Sequence, residues 1–208
     1  SKGMINEYAK PEKVCLEYMQ GGASALSVLT DNQSFGGSSK DLTTARRLNF
    51  CPILRKDFIV EEYQIVEARS IGADAILLIA YILTNEELKS LSNFAASLNL
   101  EILFEVHDEE SIAKLQSNAQ IIGINSRNLK DFSVDIDHSI TLLKHLPKES
   151  VKIAESGIDS PERLIILKEN GFNGFLIGER FMKEANPGKA CAQFIGRVKE
   201  LEKSFMIN

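Results

Sequence analysis

Four short apolar runs in this 208-residue chain end in side chains that can do chemistry. Pro52-Ile53-Leu54 leads into Arg55-Lys56-Asp57, and Glu101-Ile102-Leu103-Phe104 into Glu105-Val106-His107. The run 121–124 leads into Asn125-Ser126-Arg127-Asn128, and the run 151–154 into Glu155-Ser156-Gly157. If these runs are neighbouring strands, Lys56, Glu105, Asn125, Arg127 and Glu155 gather on one rim. An ammonium there can protonate a carbonyl oxygen and stabilise the negative charge that develops on it. Two carboxylates beside it can hold different protonation states if their burial differs. Any one of these charges could be the solvated start of a loop, but four runs ending alike argue for a shared site. Successive residues on a strand face opposite ways. Lys56 therefore shares a face with Leu54, while Arg55 and Asp57 share the other; the sequence leaves open which face looks inward.

Two later turns are suited to an anion. Glu155-Ser156-Gly157-Ile158 precedes a helix starting near Pro161, and Leu176-Ile177-Gly178-Glu179 precedes a short helical segment at 180–183. Glycine lets backbone approach a ligand closely, and helix N-termini present free N–H groups. Two ordinary βα turns would read the same way. Gly36-Gly37-Ser38-Ser39 could be another anion loop, but reads more simply as a flexible turn.

The elements that position these residues alternate regularly. Apolar, β-rich runs lie at 25–30, 52–57, 75–80, 101–106, 121–125, 151–156 and 174–178. They are short and almost continuously apolar, as parallel strands buried on both faces are. Helical patterns lie between them. One at 11–20 starts with Pro11; another at 61–71 stops at Gly72; Thr84 and Glu87 form a capping box for 85–98. Further helices follow Asp108, Asp159 or Ser160, and Gly188. The alternation predicts an α/β chain with a parallel sheet and right-handed crossovers. A closed (β/α)₈ (TIM) barrel needs eight strands, each followed by a helix. Here the chain opens on a helix, so the first strand would be missing. An open doubly wound sheet is the competing architecture.

Composition narrows the function classes. Residues 1–208 fit one domain, with 44% hydrophobic and 25% charged residues. The net charge of −5 disfavours nucleic acid. No apolar run has a membrane-span length, and no signal pattern opens the chain, so a cytoplasmic protein that does not engage membranes is expected. Cys15, Cys51 and Cys191 form no CxxC pair and are expected to be buried small hydrophobes. His107, His138 and His145 have no metal-ligand spacing, and there is no GxGxxG or Walker sequence. Neither metal nor organic cofactor is expected.

These segments together carry a resemblance to indole-3-glycerol-phosphate synthase. The matching stretches are Ser27-Val28-Leu29-Thr30-Asp31 with Phe35-Gly36-Gly37-Ser38; Leu54-Arg55-Lys56-Asp57-Phe58; Gly72-Ala73-Asp74-Ala75-Ile76-Leu77-Leu78-Ile79; Glu105-Val106-His107-Asp108; Gly123-Ile124-Asn125-Ser126-Arg127-Asn128-Leu129; and Ala154-Glu155-Ser156-Gly157-Ile158. The resemblance implies a carboxy-lyase of tryptophan biosynthesis. It closes the indole ring of 1-(2-carboxyphenylamino)-1-deoxyribulose 5-phosphate, with loss of CO₂ and water. It implies Lys56 as general acid, Glu105 as acid/base group in the dehydration, and Glu155 opposite the substrate amine. Asn125 and Arg127 would orient substrate and catalytic groups. Phe35, Phe58 and Leu77 would wall the anthranilate pocket. Ser156, Gly157, Gly178 and Glu179 would contact phosphate, Glu179 through its backbone because its carboxylate would repel the anion. Other enzymes of the same pathway are implied as partners.

One departure stands out. The family's first strand carries a glutamate and a lysine in a Glu-Ile-Lys-like stretch, and the serine of a Ser-Pro pair follows it. Ser1-Lys2-Gly3 resembles the end of that following loop. The expectation is thus an N-terminally truncated barrel with an incomplete site. Two alternatives remain. Phosphoribosylanthranilate isomerase needs a Cys/Asp pair, and Cys51 precedes its strand rather than following it. A barrel that binds indoleglycerol phosphate without catalysis, or acts as a scaffold, would be expected to lose Lys56, Glu105 or Glu155, and all three are present.

Overall fold

A computed structural model describes residues 5–116, 119–127 and 133–206, with backbone alone at 34–35 and 205–206. The seven strands fall where the apolar runs predict: β1 Leu26–Leu29, β2 Ile53–Lys56, β3 Ala75–Ile79, β4 Glu101–Val106, β5 Ile121–Asn125, β6 Val151–Glu155 and β7 Gly174–Leu176. The helices are α1 Pro11–Gln20, α2 Asn32–Phe35, α3 Ser39–Leu48, α4 Glu62–Ile71, α5 Asn85–Ser97, α6 Glu109–Ala113, α7 Ile136–Leu142, α8 Pro161–Glu169, α9 Glu179–Met182 and α10 Pro187–Met206. All strand pairs are parallel, and the sheet order is β1-β2-β3-β4-β5-β6-β7. A doubly wound sheet reverses its order partway, so the sequential order removes that competitor.

Local chemistry explains the helix starts. Thr84 and Glu87 form the capping box of α5, Asp108 caps α6, and Ser160 rather than Asp159 accepts the N–H of Arg163 to start α8. In the Gly36–Ser39 stretch the Ser38 side chain accepts the Asp41 N–H as the N-cap of α3. Gly37 is pressed against the Leu29 carbonyl, where a β-carbon would clash.

The sheet has two apolar faces. Leu26, Ile53, Ile76, Leu78, Phe104, Ile122 and Ala154 belong to the core between sheet and helices. A smaller cluster of Leu54, Leu77, Ile79 and Leu103 lies on the other face, joined by Phe58, Ala75, Ile121, Ile153 and Leu176. On that concave face Leu29 is exposed at the β1 edge. The helical layer continues past the sheet edges, because α1 packs on both α3 and α10. There Tyr18 meets Phe181 edge-on at 5.8 Å, and Phe181 meets Phe194 at 5.4 Å. Cys51 and Cys191 are buried and Cys15 is half-buried, all three as free thiols. Among the described residues, no helix is long and apolar enough to cross a membrane.

Candidate active site

The side chain of Lys56 resolves which face looks inward. Leu54 belongs to the concave cluster, so Lys56, two residues on, projects over it. Arg55 points the other way, toward the helices. Its side chain, 4% exposed, donates to Asp57 Oδ2 at 2.9 Å, Glu67 Oε2 at 2.6 Å, Thr30 Oγ1 at 2.9 Å and the Gln64 carbonyl at 2.8 Å. Thr30 in turn donates to Asp57 Oδ2 at 2.6 Å. This network fastens β2 to α4 and takes no part in the inward site.

On the concave face the strand register brings the polar residues together. Glu105 aligns with Gly123 on β5, and Asn125 aligns with Glu155 on β6. Lys56 Nζ lies 3.0 Å from Glu105 Oε2 and 3.2 Å from Glu155 Oε2. Asn125 Nδ2 donates to Glu105 Oε1 at 3.0 Å, and His107 Nε2 lies 2.8 Å from the same oxygen. Four of the five predicted polar groups therefore have direct bonds or shared partners around one lysine.

Gly123 makes this arrangement possible. A β-carbon there would overlap Oε1 of Glu155, so the bare backbone is what admits the carboxylate. A glycine inside an apolar strand is the sequence sign of such a close approach. His107 is likewise absent from the predicted set. Its sign was equally local, since a residue two beyond Glu105 shares its face.

Burial and charge set unequal proton affinities. Desolvation pulls the Lys56 ammonium down, but the Glu155 and Glu105 charges and their hydrogen bonds outweigh it, so Lys56 is raised and stays charged. Burial also opposes ionisation of Glu105, yet Lys56, His107 and Asn125 overcome it and hold Glu105 well below the usual carboxylate range. Glu155 has no comparable support. Burial dominates, the nearby Glu105 charge adds to it, and Lys56 offsets only part, leaving Glu155 pushed up to about 7. Among the described residues its Oε1 is buried without a hydrogen-bond partner. The site thus holds a fixed cation, a fixed anion and a carboxyl poised near neutrality.

Arg127 sits to one side. Its Nη2 donates to Glu179 Oε2 at 2.7 Å, and its backbone N–H donates to Asn125 Oδ1 at 3.1 Å. Lys183 pairs with the other Glu179 oxygen at 2.6 Å. After β6, Ser156 has φ 66° and Gly157 φ 71°. Left-handed backbone is uncommon for serine, and at Gly157 a β-carbon would strike Val134. Gly178 precedes α9. Leu77 is buried in the concave cluster, and Phe58 packs against it. The side chain of Phe35, residues 1–3, Asn128 and Leu129 lie outside the described residues. Among the described residues, no group of three or more His, Cys, Asp or Glu is placed to hold a metal.

Comparison with known proteins bears on this geometry. A family model described as indole-3-glycerol phosphate synthase matches residues 1–194. The indole-3-glycerol phosphate synthase of Bacteroides thetaiotaomicron is 47% identical over 198 residues, 95% of this chain and 76% of that protein. The one from Dechloromonas aromatica is 43% identical over 194 residues, 93% of this chain and 74% of that protein. Among solved structures, thiamine phosphate pyrophosphorylase from Pyrococcus furiosus superposes with a TM-score of 0.69 at 18% identity, covering 96% of this chain and 93% of its own. KGPDC from Streptococcus mutans gives 0.69 at 14% identity, covering 91% of each chain. These two likenesses speak to the fold alone.

Proposed function

The chain belongs to the indole-3-glycerol phosphate synthase family, and from that premise we propose that Lys56, Glu105 and Glu155 form its reaction centre. The family's reaction is a carboxy-lyase step of tryptophan biosynthesis: ring closure of a phosphorylated anilino-ribulose, with loss of CO₂ and water. The observation that carries the assignment is the Lys56 ammonium held between two carboxylates of opposite tendency.

In this reading, Lys56 donates a proton to the substrate's carbonyl oxygen as the ring carbon attacks. Its two carboxylates keep it charged until substrate arrives. Glu105, held ionised, accepts a proton in the later dehydration. Glu155 offers its unpartnered Oε1 to the substrate amine and balances positive charge in the intermediate. Asn125 holds Glu105, and Arg127 orients the substrate from the side. Phe58 and Leu77 wall the anthranilate ring. Backbone of Ser156, Gly157, Gly178 and Glu179 receives the phosphate. The positive φ of Gly157, where a β-carbon would strike Val134, supports this, because bare backbone can approach an anion closely.

For the fold, we infer that one more parallel strand between β7 and β1 would complete an eight-stranded barrel. Three features support it: the sequential parallel order, the exposed Leu29 at the β1 edge, and the helical layer joined across the gap by α1 and α10. A fluorescence assay for indole-ring formation tests the assignment. It should be run on residues 1–208 and on a longer version carrying the family's Glu-Ile-Lys-like strand. Turnover in the longer version is expected; turnover in neither would favour a non-catalytic binder.

A further inference from the structure

We propose that His107 is the positioning residue for Glu105: its ring N–H fixes one carboxylate oxygen so that the other faces Lys56 as an anion. The inference rests on the placement of Glu105 in the reaction centre and assigns work to a residue that has none there. His107 lies just past the end of β4 on the Glu105 face, with its side chain 10% exposed, so it stands at the rim. Its Nε2 is 2.8 Å from Glu105 Oε1, and Asn125 Nδ2 is 3.0 Å from that oxygen. Lys56 Nζ is 3.0 Å from Oε2. Two donors on one oxygen and a cation on the other fix the plane of the carboxylate. An ionised carboxylate only accepts, so Nε2 must carry the proton.

His107 is itself held, its backbone at two points and its ring at one. Its backbone N–H donates to Ser111 Oγ at 3.0 Å, at the start of α6. His138 Nε2 lies 3.2 Å from the His107 carbonyl. The ring meets Tyr81 edge-on, with centroids 5.8 Å apart. Such anchoring is what a group needs to aim another side chain. The titratable and charged groups around it are Glu105 and Asp108 on its own segment, Lys56 and Glu155 across the site, Tyr81 before α5 and His138 on α7. Without His107, Glu105 keeps Lys56 and Asn125 but loses one of the contacts that favour its charge.

The test is a ¹³C NMR titration of the Glu105 carboxylate, identified by its loss in Glu105→Gln. It is run on the chain, on His107→Phe, which keeps a ring beside Tyr81, and on His107→Gln, which keeps an amide donor. His107→Ala repeats it should the larger ring not be accommodated. The midpoint is expected to rise by about one pH unit when the donor is removed, and by less in His107→Gln. In the form that turns over, His107→Phe should lower kcat about 10-fold, through misplacement of Glu105, with KM within about twofold. A purely structural role would lower Tm and leave the Glu105 midpoint in place. An unmoved midpoint in the donor-less variants overturns the proposal. Full turnover in Glu105→Gln would instead defeat the assignment of Glu105 itself.

Discussion

The Glu155 carboxylate occupies the space that a β-carbon on Gly123 would need. Gly123 also stands in register with Glu105, so the glycine that admits one carboxylate lies beside the residue that carries the other. Gly123→Ala should push Glu155 away from Lys56. A displacement near 1 Å at a reacting group can lower turnover about 100-fold, while overpacking one methyl costs about 1–3 kcal/mol. Steady-state kinetics beside urea unfolding separates the two effects. Wild-type kcat in a destabilised variant would show that the close approach is irrelevant to catalysis.

Glu155 gives the fold a pH signature. Its carboxyl rises from 4.5 to about 7 on folding, through burial and the Glu105 charge. Between those values the folded chain binds a proton that the unfolded chain lacks, so stability falls as pH rises through that window. Glu105 acts oppositely: its lowered pKa adds stability above the unfolded value, lost as pH falls. Glu155→Gln cannot ionise. Its unfolding free energy, measured by urea titration from about pH 4.5 to 7, should therefore lack the decline seen in the unsubstituted chain. Parallel curves would contradict the raised value.

Arg55 is expected to matter for stability rather than chemistry. Its removal would strand Asp57, whose side chain is 7% exposed, without its cation. Breaking a buried pair from one side costs about 3–5 kcal/mol. Arg55→Ala should lose that much in urea unfolding. Arg55→Lys should lose less, since it keeps the charge but not the fork that reaches Asp57, Glu67 and Gln64 together. Equal losses in the two would argue against the fork.

Glu179 provides a check on the phosphate site. Its carboxylate is taken up by Arg127 and Lys183, so the proposed phosphate contact falls to its backbone. Glu179→Gln should bind inorganic phosphate at least as tightly as the unsubstituted chain, by calorimetry, because a negative charge is removed. Weaker binding would mean that the carboxylate itself organises the site.

Much of this was legible in the sequence, and the failures have local causes. The strands were visible because both faces of the sheet are buried, which makes each run apolar throughout. For the same reason the inward face was not: Leu54 and Ile53 are both buried, on opposite sides. Only the structure shows Arg55 among helices and Lys56 over the concave cluster. Helix α3 went unseen because Ser39–Leu48 buries only Leu42 and Ala45 and otherwise reads as polar loop. Helix α7 is short and contains Ile and Thr, weak helix formers. Gly123 and His107 carry local signs, a glycine inside an apolar strand and a residue on the Glu105 face, but what a bare Cα admits and which oxygen a ring nitrogen reaches are set across strands.

The central claim is that Lys56 is the proton donor of the ring closure. Its most direct test is single-turnover indole-ring fluorescence with Lys56→Ala, in the longer version that carries the family's first strand. Loss of a positioned general acid lowers the chemical step about 100–10,000-fold. Substrate binding, followed separately, should change much less, because the proposed phosphate contacts come from other groups. A Lys56→Ala protein that closes the ring at the unsubstituted rate would contradict the account.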